Sequence, residues 1–93
     1  MQSRIMSKYE KRLERLTKKP PATDLRWEEF VAALESLGFV LHEKGGGSSH
    51  KYFVWSDGEV ERRIDTSRPH PSGIMKVYQV REVVAKLEDW GLI

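Results

Sequence analysis

The sequence contains no cysteine, which excludes disulfides, thiolate metal sites and cysteine nucleophiles. Its three histidines leave little for a metal site built on imidazole. No apolar run approaches the roughly 18 residues that a membrane span requires. The N-terminus is charged from Arg4 onward and has no apolar signal core, so the protein is expected to be cytoplasmic rather than secreted. With 93 residues there is no room for a second core, nor for a doubly wound nucleotide-binding sheet. What is present, 39% apolar and 32% charged residues, suits one globular domain. These bounds leave a small binding module, or an enzyme whose chemistry rests on one or two side chains.

Charge is unevenly placed. Residues 1–22 carry seven Lys or Arg against two Glu, whereas residues 23–93 carry nine basic against twelve acidic residues. The basic pI of about 9.0 therefore belongs to an N-terminal arm. A basic arm on an acidic body suits a polyanion or an acidic partner, and equally a solvated helix with no partner. Two segments are expected: a basic helical extension over 1–22 and a domain over 23–93.

In the arm, Ile5, Tyr9, Leu13 and Leu16 fall on one helical stripe, and Pro20 and Pro21 stop it. A second amphipathic helix is predicted over 25–37, carried by Trp27, Phe30, Val31, Leu34 and Leu37. Thr23 or Asp24 is its expected cap, and Gly38 fits the left-handed position after its end. The period then shortens. Segments 39–43, 51–55 and 60–65 read as strands, with Asp57-Gly58 as the hairpin turn between the last two. After a Pro-rich loop over 66–76 comes a final helix, with Val80, Val83, Val84 and Leu87 on one face and Gly91 as its stop. The order is α-β-β-β-α after a helical arm. This is an α+β domain: a three-stranded antiparallel sheet with two helices over one face and the other face open.

A two-residue turn at Asp57-Gly58 sets Ser56 opposite Glu59, Tyr52 opposite Arg63 and His50 opposite Asp65. Phe53, Trp55, Val60 and Ile64 then go under the helices. A three-residue turn shifts the register by one and sets His50 opposite Ile64; the sequence leaves both open. In the first register His50 has a carboxylate to orient its ring, with Tyr52 and Arg63 beside it to hold a phosphate. Histidine is the side chain best suited to moving a proton at neutral pH. RNA supplies its own nucleophile, the 2′-hydroxyl, so one proton-transfer group and some cations suffice to cleave it. The alternative is that His50 is an ordinary strand-end residue.

Gly45-Gly46-Gly47 lacks the Gly-Lys-Ser/Thr ending of a phosphate-binding loop and reads as a hairpin connection. His42 and His70 have no partner at metal-ligand spacing, so neither a metal nor another cofactor is expected. Trp27 and Trp90 read as core or helix-end packing, and Tyr52 as the aromatic on which a base would stack.

Three segments resemble the HicA toxins of bacterial toxin–antitoxin pairs: Asp24-Leu25-Arg26-Trp27-Glu28-Glu29-Phe30, Leu34-Glu35-Ser36-Leu37-Gly38-Phe39 and Gly47-Ser48-Ser49-His50-Lys51-Tyr52-Phe53. So does the tail, from Arg68-Pro69-His70-Pro71 through Met75-Lys76-Val77-Tyr78-Gln79-Val80-Arg81 to Leu87-Glu88-Asp89-Trp90-Gly91-Leu92-Ile93. The resemblance implies a fold like the double-stranded-RNA-binding domain. It implies an mRNA interferase that works without a metal, with the His of the Gly-Ser-His segment, here His50, essential. It also implies a HicB-type antitoxin that covers the site. On that reading Asp65 and Tyr52 support His50, while Lys44, Ser49, Lys51, Arg63, Arg68 and Lys76 are candidates for contact with RNA. The sequence departs from the family in its longer glycine run before His50, in Arg26 where a Ser or Thr cap is usual, and in the basic arm. The competing readings are a non-catalytic RNA-binding domain of the same fold and a protein-interaction module.

Overall fold

The computed structural model describes residues 7–43 and 50–93. Helix α1 (Lys8–Thr17) is followed by α2 (Trp27–Ser36), strands β1 (Val40–Glu43), β2 (His50–Ser56) and β3 (Glu61–Ser67), and helix α3 (Val77–Asp89). The strands form one antiparallel sheet in the order β1-β2-β3. α2 and α3 both cover the face that carries Phe53 and Ile64, as the α-β-β-β-α pattern requires.

Alternation along the strands decides which face is buried. Phe53 and Ile64 are directly paired and fully buried, and they meet Phe30, Leu34, Val83 and Leu87 from the helices. Phe30 and Phe53 pack edge to face with centroids 5.8 Å apart, and Trp27 closes the cluster at 5.8 and 6.0 Å from them. Such aromatic pairs add about 0.5–1.5 kcal/mol each beyond the burial of area. Trp27 is thus a core residue, and Trp90 packs at the end of α3 with the Arg62 guanidinium 5.4 Å from its ring centroid.

The charge boundary near residue 22 is not a packing boundary. Leu16 and Ala22 both belong to the same buried core as the sheet. Ser7 caps α1, its hydroxyl accepting the Glu10 N–H at 3.1 Å. Of the expected arm stripe, Ile5 lies outside the described residues, Tyr9 is exposed, Leu13 is half-buried and Leu16 is the anchor. Arg15 ties α1 to α2 through Glu29 (3.0 Å) and to Asp24 (3.2 Å).

The start of α2 differs from expectation. Neither Thr23 nor Asp24 caps it. The chain there pairs with the segment before α3: Trp27 N–H donates to the Gly73 carbonyl at 2.8 Å, and Met75 N–H to that of Leu25 at 2.7 Å. This bridge holds Arg26 extended, so the helix begins only at Trp27. Glu29 reaches back to accept the Arg26 N–H at 3.2 Å, and Asp24 serves Arg15 instead. The far end is as expected. Gly38 has φ +101°, and the N–H groups of Gly38 and Phe39 donate to the Glu35 and Leu34 carbonyls. A Cβ at Gly38 would also lie 3.2 Å from the Trp55 ring, a tight approach that adds to the backbone preference for glycine there.

The β2–β3 hairpin is longer than a two-residue turn. The Asp57 carboxylate accepts N–H bonds from Glu59 (2.9 Å) and Val60 (2.8 Å). This local turn draws Val60 into the loop, where it is exposed rather than under the helices. Ser56 therefore pairs with Glu61, Tyr52 with Asp65 and His50 with Ser67. The register lies two residues from that of a two-residue turn, and an even shift keeps the paired β2 and β3 side chains on the faces that such a turn gives them.

Candidate functional site

The face of the sheet away from the helices carries Val40 and His42 on β1, His50, Tyr52 and Val54 on β2, and Arg63, Asp65 and Ser67 on β3. Tyr52 stands in the middle strand and is covered from both sides. The His42 ring lies parallel to it with centroids 4.9 Å apart, and the Arg63 guanidinium sits 3.9 Å from its centroid. Two groups so close to one centroid must occupy opposite ring faces. Tyr52 is therefore a packed centre of this surface and offers no bare face on which a base stacks.

Arg63 and Asp65 are two residues apart on one strand and so share a face. Their side chains make a bidentate contact, with Nε to Oδ2 at 3.1 Å and Nη2 to Oδ1 at 3.0 Å. Arg63 is the main reason the Asp65 carboxyl is held below its usual range; the nearby His50 acts in the same direction and partial burial opposes both. His50 Nε2 lies 3.5 Å from Asp65 Oδ1, an ion-pair distance longer than an ideal N–H···O bond. The His42–Tyr52–Arg63–Asp65–His50 chain thus runs unbroken across the open face to the N-terminal end of β2.

At that end the sheet meets α3, and the two enclose a hollow of about 210 Å³ lined by His50, Asp65, Thr66, Ser67, Tyr78, Gln79 and Glu82. Gln79 fixes the two walls together. Its amide donates to the Ser67 carbonyl at 3.1 Å and reaches Thr66 Oγ1 at 3.5 Å, while its Oε1 accepts the Lys76 N–H at 3.1 Å. Two larger hollows, of about 240 and 340 Å³, run along the seams of α1 with α3 and with α2. Neither is lined by a histidine.

The structure brings together His50 and Asp65, with Arg63 and Tyr52 next in line. It does not bring Lys51 to them: that side chain is buried on the helix-covered face, 3.9 Å from Glu43. Arg68 lies 3.8 Å from Glu28, away from the hollow, and Lys76 is exposed at the start of α3. Lys44, Ser49 and the glycine run lie outside the described residues. Tyr78, Gln79 and Glu82 escaped sequence reasoning. Tyr78 and Glu82 lie off the Val80–Val83–Leu87 stripe and Gln79 is a buried polar side chain beside it, but nothing in the sequence states that the first turns of α3 face His50.

No curated protein and no solved structure matches the chain. A family model, described as the HicA toxin of bacterial toxin-antitoxin, matches residues 27–92. Among the described residues no helix is long and apolar enough to cross a membrane. The matched span runs from the start of α2 beyond the end of α3 and includes every residue that lines the hollow; the chain belongs to the HicA family, the toxin side of bacterial toxin–antitoxin pairs.

Proposed function

We propose that this toxin is an endoribonuclease that cleaves mRNA without a metal, and that His50 moves a proton at the scissile phosphodiester. The observation that supports this is the His50–Asp65 pair at the rim of a hollow walled by hydrogen-bonding groups. The 2′-hydroxyl of RNA supplies the nucleophile, so the reaction needs proton transfer and positioning rather than a metal-bound water. Asp65 orients the imidazole, and Arg63, tied to the same carboxylate, contributes positive charge near the phosphate. The toxin acts on RNA and has a cognate antitoxin, as the family does in general. We propose that this antitoxin is of the HicB type and covers the hollow, and that the protein works in the cytoplasm. The exposed Lys8, Lys11, Lys18 and Lys19 of the arm extend the basic surface available to RNA or to an acidic antitoxin.

Expression of the wild-type chain and of His50→Ala in a bacterium tests the reading. Wild type is expected to arrest growth and fragment mRNA, leaving 2′,3′-cyclic or 3′-phosphate ends. Purified protein is expected to cleave in the presence of a chelator. His50→Ala is expected to bind RNA but to lose about 10²–10⁴-fold in cleavage, the usual contribution of general acid–base catalysis. If both bind RNA equally and neither cleaves it, the protein is a non-catalytic RNA-binding domain.

A further inference from the structure

Attack by a 2′-hydroxyl on the adjacent phosphate involves two proton transfers. One proton leaves the 2′-oxygen as the new P–O bond forms, and one reaches the 5′-oxygen as the old P–O bond breaks. Two groups held on either side of the phosphate perform this better than one. The hollow offers His50 and, among the residues that line it, two carboxylates, Asp65 and Glu82. Asp65 is already engaged by the bidentate Arg63 contact at 3.0–3.1 Å, and a carboxylate so neutralised is a poor proton acceptor. Glu82 is exposed, lies one turn beyond Tyr78 on α3, and has no cation at ion-pair distance among the described residues.

We propose that Glu82 is the general base and His50 the general acid of the cleavage, a pairing that rests on the endoribonuclease reading above. The Glu82 carboxylate takes the 2′-hydroxyl proton while the 2′-oxygen bonds to phosphorus. The His50 imidazolium gives its proton to the departing 5′-oxygen. The products are a 2′,3′-cyclic phosphate and a free 5′-hydroxyl, and no other reactant is consumed. The two groups come from different elements that line the hollow, β2 and α3, so a phosphodiester seated there has both within the same cavity. Gln79, bonded to the end of β3, ties α3 to the sheet.

The groups around the pair set its pH response. His50 faces Asp65, and through it Arg63, on β3, and Tyr78 and Glu82 on α3. Glu82 faces His50 and Asp65, with Tyr78 and Lys86 one turn away on its own helix. The rate is expected to pass through a maximum with pH, as a paired proton acceptor and proton donor require.

The test uses the full chain with two substrates: a short RNA, and a ribonucleoside 3′-phosphodiester whose leaving group is 4-nitrophenolate. The second leaving group departs without a proton, so it needs the base but not the acid. His50→Ala is expected to lose about 10²–10⁴-fold on RNA but to approach the wild-type rate on the activated ester. Glu82→Gln is expected to lose a comparable factor on both, with the acidic limb of the pH profile gone and the alkaline limb kept. Unfolding midpoints and RNA binding of both variants, expected to be near wild type, separate chemistry from folding. Loss of His50→Ala activity on both substrates would make His50 the base and overturn the assignment. So would a Glu82→Gln variant with wild-type rate and an intact profile, which leaves the endoribonuclease reading standing. A wild type inactive on both substrates overturns the reading and the pairing together.

Discussion

The imidazole of His50 and the carboxylate of Asp65 meet 3.5 Å apart although neither is the other's partner in the β2–β3 ladder. His50 pairs with Ser67, and Asp65 with Tyr52, so the contact is a diagonal across the open face. Diagonal neighbours on one face lie within reach of long or ring-bearing side chains. The geometry leaves Asp65 shared between His50 and Arg63, and its substitution therefore has two opposed effects.

Asp65→Asn is expected to slow cleavage by less than His50→Ala does, because it misorients the imidazole without removing it. The same change releases Arg63 from its bidentate partner. RNA binding is then expected to tighten, and its log–log salt slope to steepen by roughly 0.7, the value for one further contact to a single strand. Cleavage rates and binding titrations at several salt concentrations check both; weaker binding would show that Asp65 holds Arg63 in place for RNA.

Leu16→Ala is expected to destabilise the protein by about 2–5 kcal/mol, as are Leu34→Ala and Leu87→Ala. All three side chains are 0–1% exposed in one core, although Leu16 lies in the basic arm. Urea unfolding measures it. A near-neutral Leu16→Ala would mean that α1 packs without contributing to the core's stability.

Acid is expected to loosen the attachment of α1. Arg15 holds the Glu29 carboxyl below its usual range, with a smaller contribution from the Arg26 N–H and with burial opposing. A carboxyl whose folded value is depressed contributes stability that is fully present above its unfolded value, roughly pH 4. That contribution is lost as pH falls through the depressed folded value. Unfolding midpoints are expected to change little from this source between pH 7 and 5, and to fall below pH 4. Glu29→Gln is expected to lower the midpoint at pH 7 and flatten the acid decline; an unchanged decline would assign it to other carboxylates, such as Asp57 and Asp65, which are also held low.

Much of the fold was legible because its signals are local. The Trp27–Phe30–Leu34 spacing, the Gly38-Phe39 stop and the alternation around Phe53 each need only a few neighbouring residues to act. The cap at Asp24 was misread because a tertiary contact, the bridge of Arg26 to Ile74, outranks a local preference. The hairpin length was misread because the Asp57 side chain, not the Asp-Gly pair alone, shapes the turn. Strand alternation puts Lys51 on the face opposite to that of His50, and the structure buries it there beside Phe53.

The sequence alone determined the α-β-β-β-α order and the buried stripes of α2 and α3, and it narrowed the faces of β2 and β3 to two alternatives, between which the structure chose. Periodicity of 3.6 or 2 residues is a local property, and an even slip in register preserves it. Only the tertiary structure decided that Leu16 of the arm joins the core, that Tyr52 is covered by His42 and Arg63, and that Tyr78 and Glu82 come from α3 to complete the hollow at His50. Those contacts join residues far apart in the chain, and their geometry is fixed by how helices seat on a sheet, which no spacing within one segment records.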